Sequence, residues 1–250
     1  MNAALNTDAV ADAKLIALAR AEMYSGLSRL LASPEQATAK AWLDHVAIVE
    51  RLLIADEALS MEGSRIAELF ALSQAANLEH SAEDIAALVG ASYGALFEVG
   101  DRGPPLALRE ELAPGANAAA KEEVARFYEH FGYELGDGYA WRPDHLSPML
   151  EFMHFLAWHE AQPPSTDADD GARGDDGDGD IDVALAAGLR AAQRDFAARH
   201  LVRWLPTVAA AVAARKDGSP LIAGTLTLAA DLIAADLDWL DARIATDSGD

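Results

Sequence analysis

The segment from Trp141 to Glu160, WRPDHLSPMLEFMHFLAWHE, places three histidines, one aspartate and two glutamates among large apolar residues. Imidazoles and carboxylates bind metal ions and transfer protons, so this composition could serve a metal site or an acid–base pair. A third interpretation is structural, because polar side chains also cap the first amides of a helix that carries apolar residues into the core. The spacing of the polar residues separates these interpretations.

The histidine spacing argues against a metal site. His154 and His159 lie five residues apart, which separates them by about 140° around a helix, so they cannot share one ligand face. His145 precedes the helix, and neither H-E-x-x-H nor H-x-x-E-H occurs in the chain. The chain has no cysteine, which removes zinc–thiolate sites and disulfides as well. We therefore predict no bound metal.

Other catalytic motifs are missing from the sequence. It contains no P-loop and no G-x-G-x-x-G, the patterns that mark a phosphate-binding turn. We predict no catalytic residue and no cofactor. The favoured interpretation is a helix start, in which Pro143 fixes the chain and Asp144 or Ser147 caps the first amides. The apolar residues from Met149 to Leu156 would then enter the core.

The net charge limits the class of partner. The chain of 250 residues carries 19 Lys and Arg against 41 Asp and Glu, a formal charge of −22. This sign repels phosphate backbones, so we expect no nucleic-acid partner. The amino terminus lacks the basic and apolar regions of a signal peptide, and the longest uncharged apolar run, 221–230, is shorter than the roughly 20 residues that cross a bilayer. We expect a soluble cytoplasmic protein without membrane insertion.

Helical patterns fill most of the chain. Leu27, Leu30 and Leu31 follow the i, i+3, i+4 spacing of one helix face, and helix-start signals recur at Ser81 and at Ser219-Pro220. No segment alternates as a strand does, so we predict an all-α helical bundle of about eight helices without significant sheet. The predicted helices span residues 8–32, 34–54, 57–77, 82–98, 117–133, 145–161, 182–215 and 220–246.

Two segments interrupt the helical pattern. Residues 98–115 contain three Gly and three Pro, and a connection of this length is often functional. Residues 162–182 carry eight Asp against one Arg, and they resemble a calcium loop only in part, because Leu185 stands where the bidentate glutamate belongs. Like charges repel one another and nothing apolar is available for burial, so we predict a disordered Asp-rich linker at 163–181.

Three stretches of the sequence are more specific together, and in their order along the chain, than any of them is alone. They are YGALFEVGDRGPPLALREE at 93–111, PDHLSPMLEFM at 143–153 and RDFAARHLVRWLP at 194–206. These stretches and the order of the helices resemble the TorD/DmsD/NarJ family, roughly over residues 15–245. The family comprises cytoplasmic chaperones that mature molybdenum-cofactor oxidoreductases. The form EVGDRGPP is most similar to chaperones of DMSO-reductase-type respiratory or hydrocarbon- and sulfur-oxidising dehydrogenases.

The resemblance implies an all-helical fold of the TorD-like type and no catalysis of its own. It implies a chaperone that binds the twin-arginine leader and the apo catalytic subunit of one partner enzyme, assists cofactor insertion and delays export. A monomer or a homodimer is expected, because relatives can exchange helices between protomers. Carried over by motif, the residues implied in leader binding are Tyr93, Leu96, Phe97, Pro104, Pro105, Pro143, Asp144 and His145.

A receptor for such a leader requires an apolar groove with carboxylates at its rim, because the leader offers two arginines and an apolar stretch. Exposed Arg–carboxylate pairs contribute only about 0.2–1 kcal/mol each, so apolar contact must supply most of the affinity. The carboxylates available for the rim are Glu98, Asp101, Glu110, Glu111 and Asp144.

The chain is predicted to form one domain over residues 1–250. It would comprise an N-terminal lobe at 1–140, a hinge and motif at 141–147 and a C-terminal lobe at 148–250. Two other functions stay open: a helical adaptor that binds another protein surface, and a nucleotide-binding hydrolase. The hydrolase is opposed by the missing phosphate loop and by the charge of −22.

Overall fold

The computed structural model describes residues 2–33, 39–59, 65–98, 106–115, 118–162, 178–216 and 218–248. Regular structure in these ranges is helical, apart from one isolated antiparallel bridge between Arg109 and His145. The all-α prediction is confirmed for this part of the chain. Its ten α-helices are α1 (Asn2–Leu30), α2 (Ala39–Leu43), α3 (His45–Leu59), α4 (Ile66–Glu79), α5 (Ala82–Tyr93), α6 (Ala120–Phe131), α7 (Leu146–Ala161), α8 (Asp178–Phe196), α9 (Leu205–Ala213) and α10 (Pro220–Ser248).

Ten helices are described where about eight were predicted, because two predicted helices are each divided. The predicted helix at 34–54 corresponds to α2 and α3, which are separated at Asp44. The predicted helix at 182–215 is interrupted by a turn at 202–204, after which α9 begins with Pro206 in its first turn. Proline has no amide hydrogen and cannot continue the hydrogen-bond ladder of α8, but it is tolerated where a helix starts.

Two further boundaries differ from the prediction. Helix α3 continues to Leu59 and α4 begins only at Ile66, so the predicted helix at 57–77 is wrong at its start. The predicted linker at 163–181 is wrong at its end, because α8 already begins at Asp178. Acidic residues are favoured in the first turn of a helix, where the helix dipole is positive. Residues 163–177 lie outside the described residues.

Helix α7 forms the centre of the described bundle, and α1 and α8 are its main neighbours. Its buried residues are distributed around the helix, as expected for a helix that is covered on several sides. Full burial of each large apolar side chain stabilises the fold by about 1.5–3 kcal/mol. The completely buried apolar residues of α7 are Leu146, Met149, Leu150, Phe152, Met153, Leu156 and Ala157.

A buried ion-pair network joins α1, α7, α8 and α10. The guanidinium of Arg20 donates to both carboxylate oxygens of Asp236, and its Nη1 lies 2.9 Å from Oε2 of Glu160. The side-chain oxygen of Gln193 accepts from Arg20 at 2.7 Å, and Arg190 donates to Glu160 at 3.2 Å. Removal of one partner would leave a buried charge uncompensated, which is costly away from water. The network therefore favours this arrangement of the four helices.

Helix α10 is, among the described residues, the helix that is long and apolar enough to cross a membrane. The most apolar 18-residue window within its segment Pro220–Asp247 has a mean hydropathy of 1.5, and about half of that window is buried inside the protein. The sequence prediction considered only the shorter run at 221–230 and did not identify this length. In the structure α10 contacts α9, α8 and α4, and it contributes Asp236 to the buried network, as a core helix does.

Candidate functional site

The start of α7 is held against the short segment 106–115. The amide of Leu146 donates to the carbonyl of Leu108 at 2.8 Å, and the amide of Glu110 donates to the carbonyl of Asp144 at 3.0 Å. These two hydrogen bonds surround the antiparallel bridge between Arg109 and His145. The Pro-Asp-His motif is therefore joined to the end of the first motif by backbone contacts.

Asp144 is completely buried and is bonded within the protein. Its Oδ1 accepts from Nε of Arg109 at 3.2 Å and from Nη2 at 3.1 Å, and its Oδ2 accepts from the amide of Glu111 at 3.1 Å. A buried carboxylate requires such donors, because it has lost its hydration. The prediction that Asp144 caps α7 is wrong, because its carboxylate is bonded to segment 109–111 and His145 is the cap. Its predicted role in leader binding stays a prediction.

His145 caps α7 through its ring. Its Nδ1 accepts from the amide of Ser147 at 3.2 Å, and its Nε2 lies 3.0 Å from the hydroxyl of Tyr93. An amide can only donate, so Nδ1 is the acceptor and the neutral ring carries its proton on Nε2. That proton is donated to Tyr93, whose hydroxyl donates in turn to the carbonyl of Leu31 at 3.4 Å.

The surroundings keep His145 uncharged. Burial, together with the positive charges of Arg142 and Arg109, lowers the pKa of His145 to about 3. Burial also raises the pKa of Tyr93 well above its usual value, so its hydroxyl stays protonated. The ring of Tyr139 packs on His145 with centroids 5.2 Å apart. The site is consequently a neutral hydrogen-bond chain, and at neutral pH it offers no exchangeable charge for acid–base chemistry.

The remaining residues of the two motifs lie around this chain. Leu96 and Phe97 belong to a π-helical turn, Gly94–Glu98, that continues α5, and both side chains are buried. Phe97 contacts the ring of Tyr93 edge-on at 5.0 Å. The carbonyl of Pro143 accepts from the hydroxyl of Tyr128 at 2.9 Å. The structure thus brings Tyr93, Leu96, Phe97, Pro143, Asp144 and His145 into one buried junction, and their role in leader binding stays a prediction.

Pro104 and Pro105, the other two residues implied in leader binding, lie outside the described residues, as does Asp101. Of the carboxylates expected at a groove rim, Glu98 is exposed and Glu111 pairs with Arg109 at 3.0 Å. Glu110 is buried and is therefore not available for such a rim.

Glu110 forms a second buried pair that sequence reasoning missed. Its Oε2 lies 3.0 Å from Nδ1 of His200, which belongs to a π-helical turn, Ala197–Leu201, after α8. The His200 ring is packed between Phe127 and Phe196, with centroids 5.5 and 5.2 Å away. No local pattern could have linked these residues, because they are 90 positions apart and pair only through the fold.

The histidines of α7 bind backbone carbonyls. Nδ1 of His154 lies 2.9 Å from the carbonyl of Ala21, and Nδ1 of His159 lies 2.8 Å from the carbonyl of Phe155. Across the ranges that the structure describes, no cluster of three or more His, Asp or Glu side chains is arranged to hold a metal ion.

Comparison with known proteins places the chain in a family. The family model described as nitrate reductase delta subunit matches residues 66–210. The chain is 29% identical over 215 residues to the perchlorate reductase assembly chaperone protein of Dechloromonas aromatica (strain RCB), an alignment that covers 84% of this chain and 85% of that protein.

Two further relatives are similar over shorter ranges. The dimethyl sulfide dehydrogenase assembly chaperone protein of Rhodovulum sulfidophilum is 33% identical over 164 residues, covering 62% of this chain and 57% of that protein. The selenate reductase assembly chaperone protein of Thauera selenatis is 34% identical over 118 residues, covering 46% and 53%. No solved structure matches the chain. Because residues 66–210 make up more than half of the chain and include both motifs of the buried junction, the chain belongs to the nitrate reductase delta subunit family, which confirms the resemblance to NarJ and TorD proteins.

Proposed function

We propose that this protein is an assembly chaperone for the catalytic subunit of a molybdenum-cofactor oxidoreductase. The observation that carries the proposal is the similarity to the perchlorate reductase assembly chaperone protein, which extends over 84% of this chain and 85% of that relative. Such coverage favours a function shared by the whole fold over one that resides in a single motif.

The geometry of the buried junction supports a binding function in preference to catalysis. His145 is neutral and uses both ring nitrogens, one for a backbone amide and one for Tyr93. The carboxylate of Asp144 is occupied by Arg109 and by the amide of Glu111. Groups that are bonded in this way hold elements together, whereas a general acid or base must reach a substrate proton.

The partner of the proposed chaperone is the apo catalytic subunit together with its twin-arginine leader. A leader with two arginines and an apolar stretch suits a protein with a charge of −22 and exposed apolar side chains. Long-range attraction between opposite charges accelerates the encounter, and apolar contact supplies most of the affinity. Retention of the leader in the cytoplasm until the cofactor is inserted would delay export of an unfinished enzyme. The chaperone would act as a monomer or a homodimer.

Co-expression tests this function directly. The chain is produced with each molybdoenzyme catalytic subunit of its own organism in turn, in three forms: complete, without the leader, and with the leader arginines replaced by lysine. We expect the complete subunit to co-purify as the cofactor-free form, and the other two forms to be retained less well. Failure of all three forms to co-purify would refute the chaperone function, and equal retention of all three would refute leader recognition alone.

A further inference from the structure

Arg142 is half-buried, and within the described ranges it forms no ion pair with a carboxylate. Its Nε is buried and has no hydrogen-bond partner. Removing an arginine from water without an opposite charge is costly, so Arg142 is suited to an anion that comes from outside the chain. The other buried or half-buried arginines of the described ranges each pair with an aspartate or a glutamate; they are Arg20, Arg109, Arg190, Arg194 and Arg243.

Two aromatic rings hold the guanidinium of Arg142 in position. Its central carbon lies 4.7 Å from the ring centroid of Trp141 and 5.2 Å from that of Tyr139. The backbone is fixed as well, because the amide of Arg142 donates to the carbonyl of Tyr139 at 2.9 Å and its carbonyl accepts from the amide of His145 at 3.1 Å. Ring faces attract a cation but do not replace the acceptors that its N–H groups require. The guanidinium is therefore positioned without being neutralised.

Trp141 adds an apolar surface beside this charge. Its side chain is 60% exposed, although an indole is large and apolar. Arg109 also approaches the indole, with 5.9 Å between its guanidinium carbon and the ring centroid, but it pairs with Asp144 and Glu111. Tryptophan and arginine are the residue types most enriched among the side chains that dominate protein interfaces. We call the exposed indole and the unpaired guanidinium the Trp141–Arg142 patch.

The patch is locally positive on a chain whose formal charge is −22. Burial, together with the charges of Arg142 and Arg109, lowers the pKa of His145, so the field of these arginines reaches the neighbouring buried ring. Opposite charges across an interface favour the correct partner, and like charges oppose the wrong one. An acidic group beside an apolar side chain fits this surface, whereas a pair of arginines does not.

We propose that the Trp141–Arg142 patch binds an acidic segment of the catalytic subunit outside its leader, with a carboxylate on Arg142 and a neighbouring apolar side chain on Trp141. This assignment rests on the proposed function and adds to it a contact of defined chemistry. A planar guanidinium holds a carboxylate through two parallel hydrogen bonds, which requires an arginine without an internal partner. A second copy of the chain fits less well, because two chains of −22 repel each other.

Matched arginine variants test the patch by titration with the leaderless catalytic subunit. Arg142→Gln removes the charge, and Arg142→Lys keeps it without the planar fork. Arg65→Gln is the control, because Arg65 is exposed and pairs with Asp231 of α10. We expect Arg142→Gln to raise Kd about 10- to 100-fold, the effect of losing hydrogen bonds to a charged group. Arg142→Lys should raise Kd less, and the control should leave it within about twofold of wild type.

Thermal unfolding separates binding from a purely structural role. Arg142→Gln should lower Tm less than Arg109→Gln does, because Arg109 is the ion-pair partner of the buried Asp144 and Arg142 has no such partner in the described ranges. If Arg142→Gln lowers Tm more than Arg109→Gln and leaves Kd unchanged, the arginine serves only the fold and the assignment is overturned.

A photo-crosslinking amino acid in place of Trp141 identifies the occupant in the purified complex with the complete subunit. It should capture a segment that contains aspartate or glutamate and lies outside the leader. Replacing the captured carboxylate by arginine should weaken binding to wild type, and Arg142→Glu should restore part of that affinity. Capture of the leader would overturn the assignment, as would the absence of a crosslink together with an unchanged Kd for Arg142→Gln.

The remaining outcomes distinguish the patch from the proposed function. If the complete subunit binds wild type and the leaderless subunit does not, the patch assignment fails and the chaperone function stands. If neither form binds, the proposed function fails and the patch assignment fails with it. If Arg142→Gln dissociates a homodimer, a second copy is the occupant. If inorganic phosphate binds wild type but not Arg142→Gln, and Kd for the subunit is unchanged, the occupant is a small oxyanion and the assignment is overturned.

Discussion

Lowering the pH should destabilise this protein through His145. Burial, with the charges of Arg142 and Arg109, lowers the pKa of this side chain in the folded protein to about 3, whereas a histidine in an unfolded chain titrates near 6.5. Below about pH 6.5 the unfolded state binds a proton that the folded state does not bind until about pH 3. Stability is therefore complete above pH 6.5 and is lost as the pH falls through this window.

The expected loss of stability follows from the pH interval between the pKa of His145 in the folded and in the unfolded protein. Each pH unit inside it costs about 1.36 kcal/mol of the free energy of unfolding, so the loss between pH 7 and pH 5 is about 1.9 kcal/mol for this one site. The comparison is wild type against His145→Asn, measured by urea unfolding at both pH values. An asparagine oxygen can still cap α7 by accepting from the amide of Ser147, but it does not titrate.

The two proteins should differ in their dependence on pH. His145→Asn loses the hydrogen bond to Tyr93 and the ring contact with Tyr139, so it should be less stable than wild type at pH 7. Its further loss between pH 7 and pH 5 should be smaller by about 1.9 kcal/mol, because the other histidines occur in both proteins and their contributions cancel. Equal losses in the two proteins would refute a neutral, buried His145.

Three further predictions concern stability. Arg20→Met should lower the free energy of unfolding by about 3–5 kcal/mol in urea, because it removes the ion-pair partner of the buried Asp236. Arg51→Met, at the exposed pair with Glu22, should cost at most about 1 kcal/mol, and similar losses would contradict the buried network. Asp144→Ala should lower the free energy of unfolding by about 2–4 kcal/mol, and Asp144→Asn should lower it less, since Asn can still accept one of the hydrogen bonds. If thermal unfolding shows Asp144→Asn to be the less stable variant, this reasoning is wrong. Replacing residues 163–177 by a short Gly/Ser link should change the free energy of unfolding by only about 0.5–1 kcal/mol. If calorimetry shows that the shortened protein is unfolded, the segment is needed for the fold and the prediction is wrong.

Helix identity was predictable along most of the chain because its signals are local. The serine at Ser81 accepts from the amide of Asp84 at 3.2 Å, as the start signal predicted. α10 begins at Pro220, directly after Ser219, and α7 begins one residue after Pro143-Asp144-His145. Each of these starts depends on side chains within a few residues of the amides they satisfy, and such spacing can be read directly from the order of residues.

The assignment of the cap at α7 shows where local reasoning ends. Asp144, Ser147 and His145 all stand at suitable positions, and on sequence alone the short aspartate or serine is the better cap. Segment 109–111 covers Asp144, and Arg109 donates to its carboxylate. The imidazole of His145 then accepts the hydrogen bond from the amide of Ser147 in the first turn of α7. Arg109, which bonds Asp144 and so prevents it from capping α7, lies 35 positions away in the sequence. The motif alone therefore could not identify the cap.

The buried pairs depend on the arrangement of the helices. Glu110 with His200 and Arg20 with Asp236 join residues 90 and 216 positions apart. In the sequence these are ordinary charged residues on amphipathic segments, equally suited to face water. They become partners only when the helices are packed together, because burial removes water and leaves the facing polar group as the remaining stabilising contact. Local sequence signals determined where the helices form. Contacts between residues far apart in the sequence determined which polar side chains pair with one another inside the bundle.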